Sequence, residues 1–130
     1  MTTATLPASR TKTIVLWSLR ILMAALFLFA GFMKLSGQPM MIDEFDTIGL
    51  GQWFRLLTGA LEAAGAIAIL LPSVSVFGAI LLLAVDAGAF IAQLAILHLD
   101  WIHVVVIGAI LGTVIYLQRD QLRLREGAIQ

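Results

Sequence analysis

Two acidic residues, Glu62 and Asp86, each stand in the middle of a long apolar run. Glu62 lies in residues 53–71 and Asp86 lies in residues 74–97. Both runs are long enough to cross a lipid bilayer, which takes about 20 apolar residues. A charged side chain at the centre of a bilayer costs at least ~2.5–3.5 kcal/mol. We therefore expect each acid to have a partner, to hold a proton or to face a polar cavity.

The spacing also predicts that the two acids lie at nearly the same depth. Glu62 is nine residues after Trp53, and Asp86 is twelve residues after Val74. At a helical rise of ~1.5 Å per residue, these positions are about 13 Å and 18 Å from opposite sides of the bilayer core. If the carboxyls meet, repulsion and burial favour the neutral acid, and one or both would be protonated. The pair then either only joins two helices or forms a site for a proton, an ion or a polar ligand head.

Other polar residues are expected to gather near one end of the same helices. They are Lys34, Gln38, Arg55, Gln93, His98, Asp100 and His103. On a helix, Arg55, Gly59 and Glu62 share one face, and the small residue on that face predicts close contact with another helix. Lys34 either extends to the head groups or faces the same site, whereas Arg20 is expected to extend to the head groups on the opposite side.

The candidate site therefore comprises six residues, with no metal among its expected ligands. The six are Glu62, Asp86, Lys34, Arg55, Gln93 and His98. The two histidines are five residues apart, a spacing not typical of a metal site. No phosphate loop, dinucleotide fingerprint or haem-attachment motif is present, so the sequence predicts no intrinsic cofactor.

The composition places these residues in a membrane protein. The chain has 130 residues, of which 61% are hydrophobic and only 12% charged, whereas soluble domains carry about 25% charged residues. Its mean hydropathy is +1.02. It contains no cysteine, which excludes disulfides and thiolate chemistry. The formal net charge is zero, so nothing indicates a nucleic-acid partner.

Four apolar runs predict an all-α integral membrane protein. The predicted spans are residues 13–33, 53–71, 74–97 and 101–117. The last two links are very short, which favours an antiparallel four-helix transmembrane bundle. The transmembrane domain would cover residues 13–118, between a disordered polar tail at 1–12 and a basic tail at 119–130.

The longest link, residues 35–52, is predicted to carry a short interfacial helix, with an irregular polar loop as the alternative. Pro39 suits the first turn of a helix, and Gly49 and Gly51 would end it. Apolar residues would share one face of that helix and acids would point away from it. The apolar residues are Met41, Phe45 and Ile48, and the acids are Asp43, Glu44 and Asp46.

The basic residues predict that both termini are cytoplasmic. Lysine and arginine concentrate in the two tails, as Arg10, Lys12, Arg119, Arg123 and Arg125. Cytoplasmic loops and tails carry the excess of Lys and Arg, and an even number of spans agrees with this arrangement. The first span is longer than a signal-peptide core, so we expect it to be retained.

Three stretches of the chain resemble the DoxX and DoxX-like family. They are LRILMAALFLFAGFMKLSGQP, RLLTGALEAAGAIAILLP and DAGAFIAQLAILHL. The positions that match the family pattern are Arg20, Gly31, Lys34, Glu62, Pro72 and His98, whereas Asp86 has no clear place in it. The resemblance implies a small four-helix protein of the bacterial inner membrane. Some relatives are linked to thiosulfate:quinone oxidoreduction, and others to membrane oxidoreductase complexes.

Two functions follow from these expectations. The first is a quinone-associated or accessory subunit of a membrane oxidoreductase system. Glu62 would exchange protons, Lys34, Arg55 and His98 would polarise quinone carbonyls, and a partner protein would supply the electrons. The second is a non-enzymatic carrier, hydrophobic-ligand binder or assembly scaffold, and a second copy of the chain remains open as a partner.

Overall fold

The computed structural model describes residues 8–98 and 101–122, and this part of the chain is helical without strands. The helices are α1 (Ala8–Leu35), α2 (Pro39–Ile48), α3 (Gln52–Leu70), α4 (Ser75–Ile91) and α5 (Ile102–Leu117). Helix α4 continues directly as a π-helical segment, Ala92–Leu97. Most of the predicted basic tail lies outside the described residues, as does Asp100.

Three of these helices are long and apolar enough to cross a membrane. They are Arg10–Leu35 within α1, Gln52–Leu70, and Ser75–Leu97, which combines α4 with the π-helical segment. Helix α5 is also apolar but shorter, with 16 residues. Helix α1 begins at Ala8 rather than at residue 13, so residues 8–12 of the predicted polar tail are helical.

Helices α1, α3, α4 and α5 pack around a core of apolar side chains. Helix α1 packs mainly against α3, α3 against α4 and α4 against α5, and α5 also contacts α1. The core includes Met23, Phe27, Ile69, Leu82 and Leu111. Many large apolar side chains point outward instead, as expected of helices whose surroundings are lipid.

Glycines let these helices approach closely at two contacts. A Cβ on Gly31 of α1 would lie 2.9 Å from the carbonyl oxygen of Gly59 on α3. A Cβ on Gly78 of α4 would lie 2.7 Å from the backbone nitrogen of Ile69 on α3. Neither atom could fit without moving backbone, so these contacts require glycine and set the spacing of α1, α3 and α4.

The turn between α3 and α4 is held by Arg20 of α1. The last carbonyls of a helix have no partner within it, and the Ile69 carbonyl accepts hydrogen bonds from Arg20 Nε at 2.7 Å and from Ser75 Oγ at 2.8 Å. The guanidinium stacks on Trp17, 3.9 Å from the ring centre. Arg20 is only 3% exposed. The expectation that Arg20 extends to the head groups was therefore wrong, because a free carbonyl lies within its reach.

Helix α2 lies between α1 and α3 along the chain and packs against α3 and the π-helical segment. Pro39 occupies its first turn, and Gly49 ends it at a φ of 85°, a conformation that glycine adopts without strain. Phe45 is buried and Asp43 is exposed, as the pattern predicted. Glu44 differs from the prediction: it is half-buried and faces inward. The reason is that α2 packs against both α3 and the π-helical segment, so more of its surface is covered than its apolar residues alone would cover.

Candidate functional site

A cavity of about 500 Å³ lies between the helices. All five helices and the π-helical segment contribute to its wall, which is mostly apolar. Its polar lining residues are Lys34, Glu44, Thr58, Glu62, Asp86, Gln93 and His103. An apolar cavity of this size with a few convergent polar groups is typical of a binding site for a small molecule.

Lys34 and Glu62 form an ion pair in the wall of this cavity. Lys34 Nζ lies 2.8 Å from Glu62 Oε1, and the two side chains are 17% and 4% exposed. The glycine contact between α1 and α3 positions the pair, because a Cβ on Gly59 would lie 3.0 Å from Lys34 Cβ. Pairing offsets much of the cost of holding either charge away from water.

Arg55 holds the backbone of Lys34 and does not line the cavity. Its Nη1 donates to the Lys34 carbonyl, and its Nε donates to Gln52 Oε1 at 2.7 Å. Gln52 Nε2 in turn donates to Asp46 Oδ1 of α2 at 2.7 Å. This chain of contacts joins the end of α1, the start of α3 and α2, so Arg55 positions Lys34 rather than facing the ligand space.

Asp86 lines the cavity from α4, at the contact of α4 with α5. It is 7% exposed. A Cβ on Gly108 of α5 would lie 2.8 Å from Asp86 Oδ2, so the absence of a side chain there leaves room for the carboxylate. His103 of α5 lines the same cavity. The two acids thus share one cavity, but the partner of Glu62 is Lys34 rather than Asp86.

Gln93 lies in the π-helical segment, which forms part of the cavity wall. Its side-chain oxygen is buried and has no hydrogen-bond partner. Single π-helical turns often occur at functional sites because they redirect side chains. His98 follows this segment with a φ of 54°, is exposed and does not line the cavity.

The structure therefore brings four of the six predicted residues together: Lys34, Glu62, Asp86 and Gln93. Arg55 holds the backbone of Lys34 without lining the cavity, and His98 does not line the cavity either. Glu44 also lines the cavity, although it was predicted to point away from the bundle. Among residues 8–98 and 101–122, no group of three or more His, Asp or Glu side chains is arranged to hold a metal ion.

The described residues thus form an apolar, helical protein of the membrane, with a mostly apolar cavity that a few polar side chains line. A sequence profile of the DoxX-like family matches residues 18–117, which include every residue of the cavity. The chain belongs to the DoxX-like family. No curated protein and no solved structure gave a significant match to this chain.

Proposed function

We propose that the chain crosses the bacterial inner membrane four times as an antiparallel bundle, with both termini in the cytoplasm. Three helices have the required length. Helix α5, at ~24 Å, is shorter than the ~30 Å apolar core, and local thinning of the bilayer can offset such a difference. Helix α2 then lies at the outer interface, where its exposed Asp43 and Asp46 meet water.

We propose further that the cavity binds the head of a membrane quinone and that the protein is an accessory subunit of a membrane oxidoreductase system. The observation that supports this function is the buried Lys34–Glu62 pair in the wall of an otherwise largely apolar cavity. A quinone head needs an apolar slot, hydrogen-bonding groups for its oxygens and groups that exchange protons.

The charged residues of the cavity can share these tasks. The Lys34 ammonium group can donate a hydrogen bond to a ligand oxygen while Glu62 balances its charge. Asp86 and Glu62 can accept or return protons, because carboxyl groups in a cavity exchange them readily with a bound ligand. Reduction of a quinone to its quinol takes two electrons and two protons; the carboxyl groups can exchange the protons, so a partner protein must supply or remove the electrons.

A test of this function compares the quinone content of two purified variants. Ala89 lines the cavity, so Ala89→Phe should fill part of it. Ala109 is exposed on α5 and does not line it, so Ala109→Phe is the matched control. Each protein is purified in detergent, extracted with organic solvent and analysed for quinones and lipids by mass spectrometry.

We expect quinone to co-purify with the parent and with Ala109→Phe, and to be depleted in Ala89→Phe. If the parent carries no quinone and binds none when it is added, the proposed function is wrong. A lipid or another apolar molecule that is retained by the parent and lost in Ala89→Phe would instead support the second function, a non-enzymatic binder or carrier of hydrophobic ligands.

A further inference from the structure

The polar groups of the cavity are mostly hydrogen-bond acceptors. Glu44, Glu62 and Asp86 accept hydrogen bonds when ionised and cannot donate them. Thr58 also faces the cavity as an acceptor, because its hydroxyl proton is engaged by the Phe54 carbonyl at 2.8 Å. Among the described residues, Lys34 is the one lysine or arginine in the wall, where its ammonium pairs with Glu62, and His103 of α5 also lines the cavity.

Gln93 adds an acceptor with no partner within the described protein. Gln93 lines the cavity from the π-helical segment, and its side-chain oxygen is buried without a hydrogen bond. A buried acceptor without a partner lowers stability, so a ligand that donates to it is favoured over one that cannot. Asp86, on the same helix two turns earlier, presents a second acceptor to the same space.

We propose that this cavity recognises a head group that donates hydrogen bonds, so that it binds the hydroxyl-bearing quinol in preference to the quinone. The inference rests on the proposed function and specifies the redox form of its ligand. A quinol offers two hydroxyl donors to Asp86 and Gln93. A quinone offers two carbonyl acceptors: one can accept from Lys34, but neither can donate to Asp86 or Gln93, so the oxygens of these two side chains stay unpaired.

The two forms can be compared directly on the full-length protein. A decyl-substituted benzoquinone and its quinol, the latter kept reduced under argon, are titrated into the protein in nanodiscs, and the two dissociation constants are measured. We expect the quinol to bind about tenfold more tightly, the usual effect of one buried acceptor left unpaired.

Two variants connect this preference to named atoms. Asp86→Asn replaces one of the two acceptor oxygens with an N–H donor, so the ratio of the two dissociation constants should fall towards one. Gln93→Leu should weaken quinol binding several-fold and leave quinone binding unchanged. Asp43→Asn removes an exposed acid outside the cavity and should leave the ratio at its parental value.

The outcomes separate the inference from the function on which it rests. Quinol preference that Asp86→Asn reduces and Asp43→Asn preserves supports the inference. Equal affinity, or tighter binding of the quinone, overturns it while the cavity remains a quinone site. If neither form binds, the proposed function fails and the inference fails with it.

Discussion

The Lys34–Glu62 ion pair couples the stability of the protein to its ligand site. Both side chains are largely buried, at 17% and 4% exposure. Removing one partner of a buried pair leaves a charge without compensation, whereas replacing both with apolar groups is often tolerated. Variants of these two residues can therefore separate what the pair contributes to folding from what it contributes to binding.

We expect Glu62→Ala to lower the free energy of unfolding by about 3 kcal/mol, because it leaves the Lys34 charge buried and unpaired. Glu62→Gln should retain the fold with a smaller loss, since the amide oxygen still accepts from Lys34. The double variant Lys34→Met with Glu62→Leu should recover most of the stability but bind no quinone. Thermal denaturation in detergent and quinone content measure the two effects.

An unchanged melting curve for Glu62→Ala, together with unchanged quinone content, would show that Glu62 is incidental. A double variant that is stable and still binds quinone would show that the pair serves packing alone.

At the scale of helices, the glycine contacts decide how closely α1 and α3 approach and so place Lys34 beside Glu62. Gly31 and Gly112 offer a direct comparison, since both lie inside helices. A Cβ on Gly31 would meet the Gly59 carbonyl oxygen at 2.9 Å, whereas a Cβ on Gly112 would meet nothing within 4 Å.

We expect Gly31→Ala to destabilise the protein by about 1–3 kcal/mol, the usual cost of overpacking. Gly112→Ala should be neutral or stabilising by up to ~1 kcal/mol, because alanine favours a helix over glycine. Denaturation midpoints in the same detergent give both values. Equal stability of the two variants would contradict the assigned α1–α3 contact.

The sequence allowed prediction of the helices because the length and composition of its apolar runs suit membrane-spanning segments. It predicted that Glu62 and Asp86 face protein, since a charge in lipid is costly. It did not predict the inward position of Arg20, which depends on the Ile69 carbonyl left free at the end of α3. Nor did it predict the π-helical segment, because one wider turn does not change the run of apolar residues from which the helix was predicted.

Glu44 shows a different limit. Its acidic side chain indicated a water-facing position, but the face that α2 presents is set by its packing against α3 and the π-helical segment. The ligand space that makes an inward acid acceptable exists only once the helices have assembled.

At the scale of the whole molecule, the distribution of basic residues determines orientation in the membrane. We expect reporter fusions after Gln52 and after Gln130 to report opposite sides, with the fusion at Gln130 cytoplasmic. Paired enzymatic reporters, one active only in the cytoplasm and one only outside it, measure this in intact cells. Both fusions on the same side would overturn the four-span arrangement.

The ion pair between α1 and α3 also has a consequence for biosynthesis. Lys34 leaves the ribosome about 28 residues before Glu62, which corresponds to a few seconds of translation. Lys34 is at the end of α1, where it can reach the head groups, whereas α3 must carry the carboxyl of Glu62 into the apolar core. In the proposed bundle, α1 would therefore assist the insertion of α3, since it offers a counter-charge before that carboxyl enters the lipid.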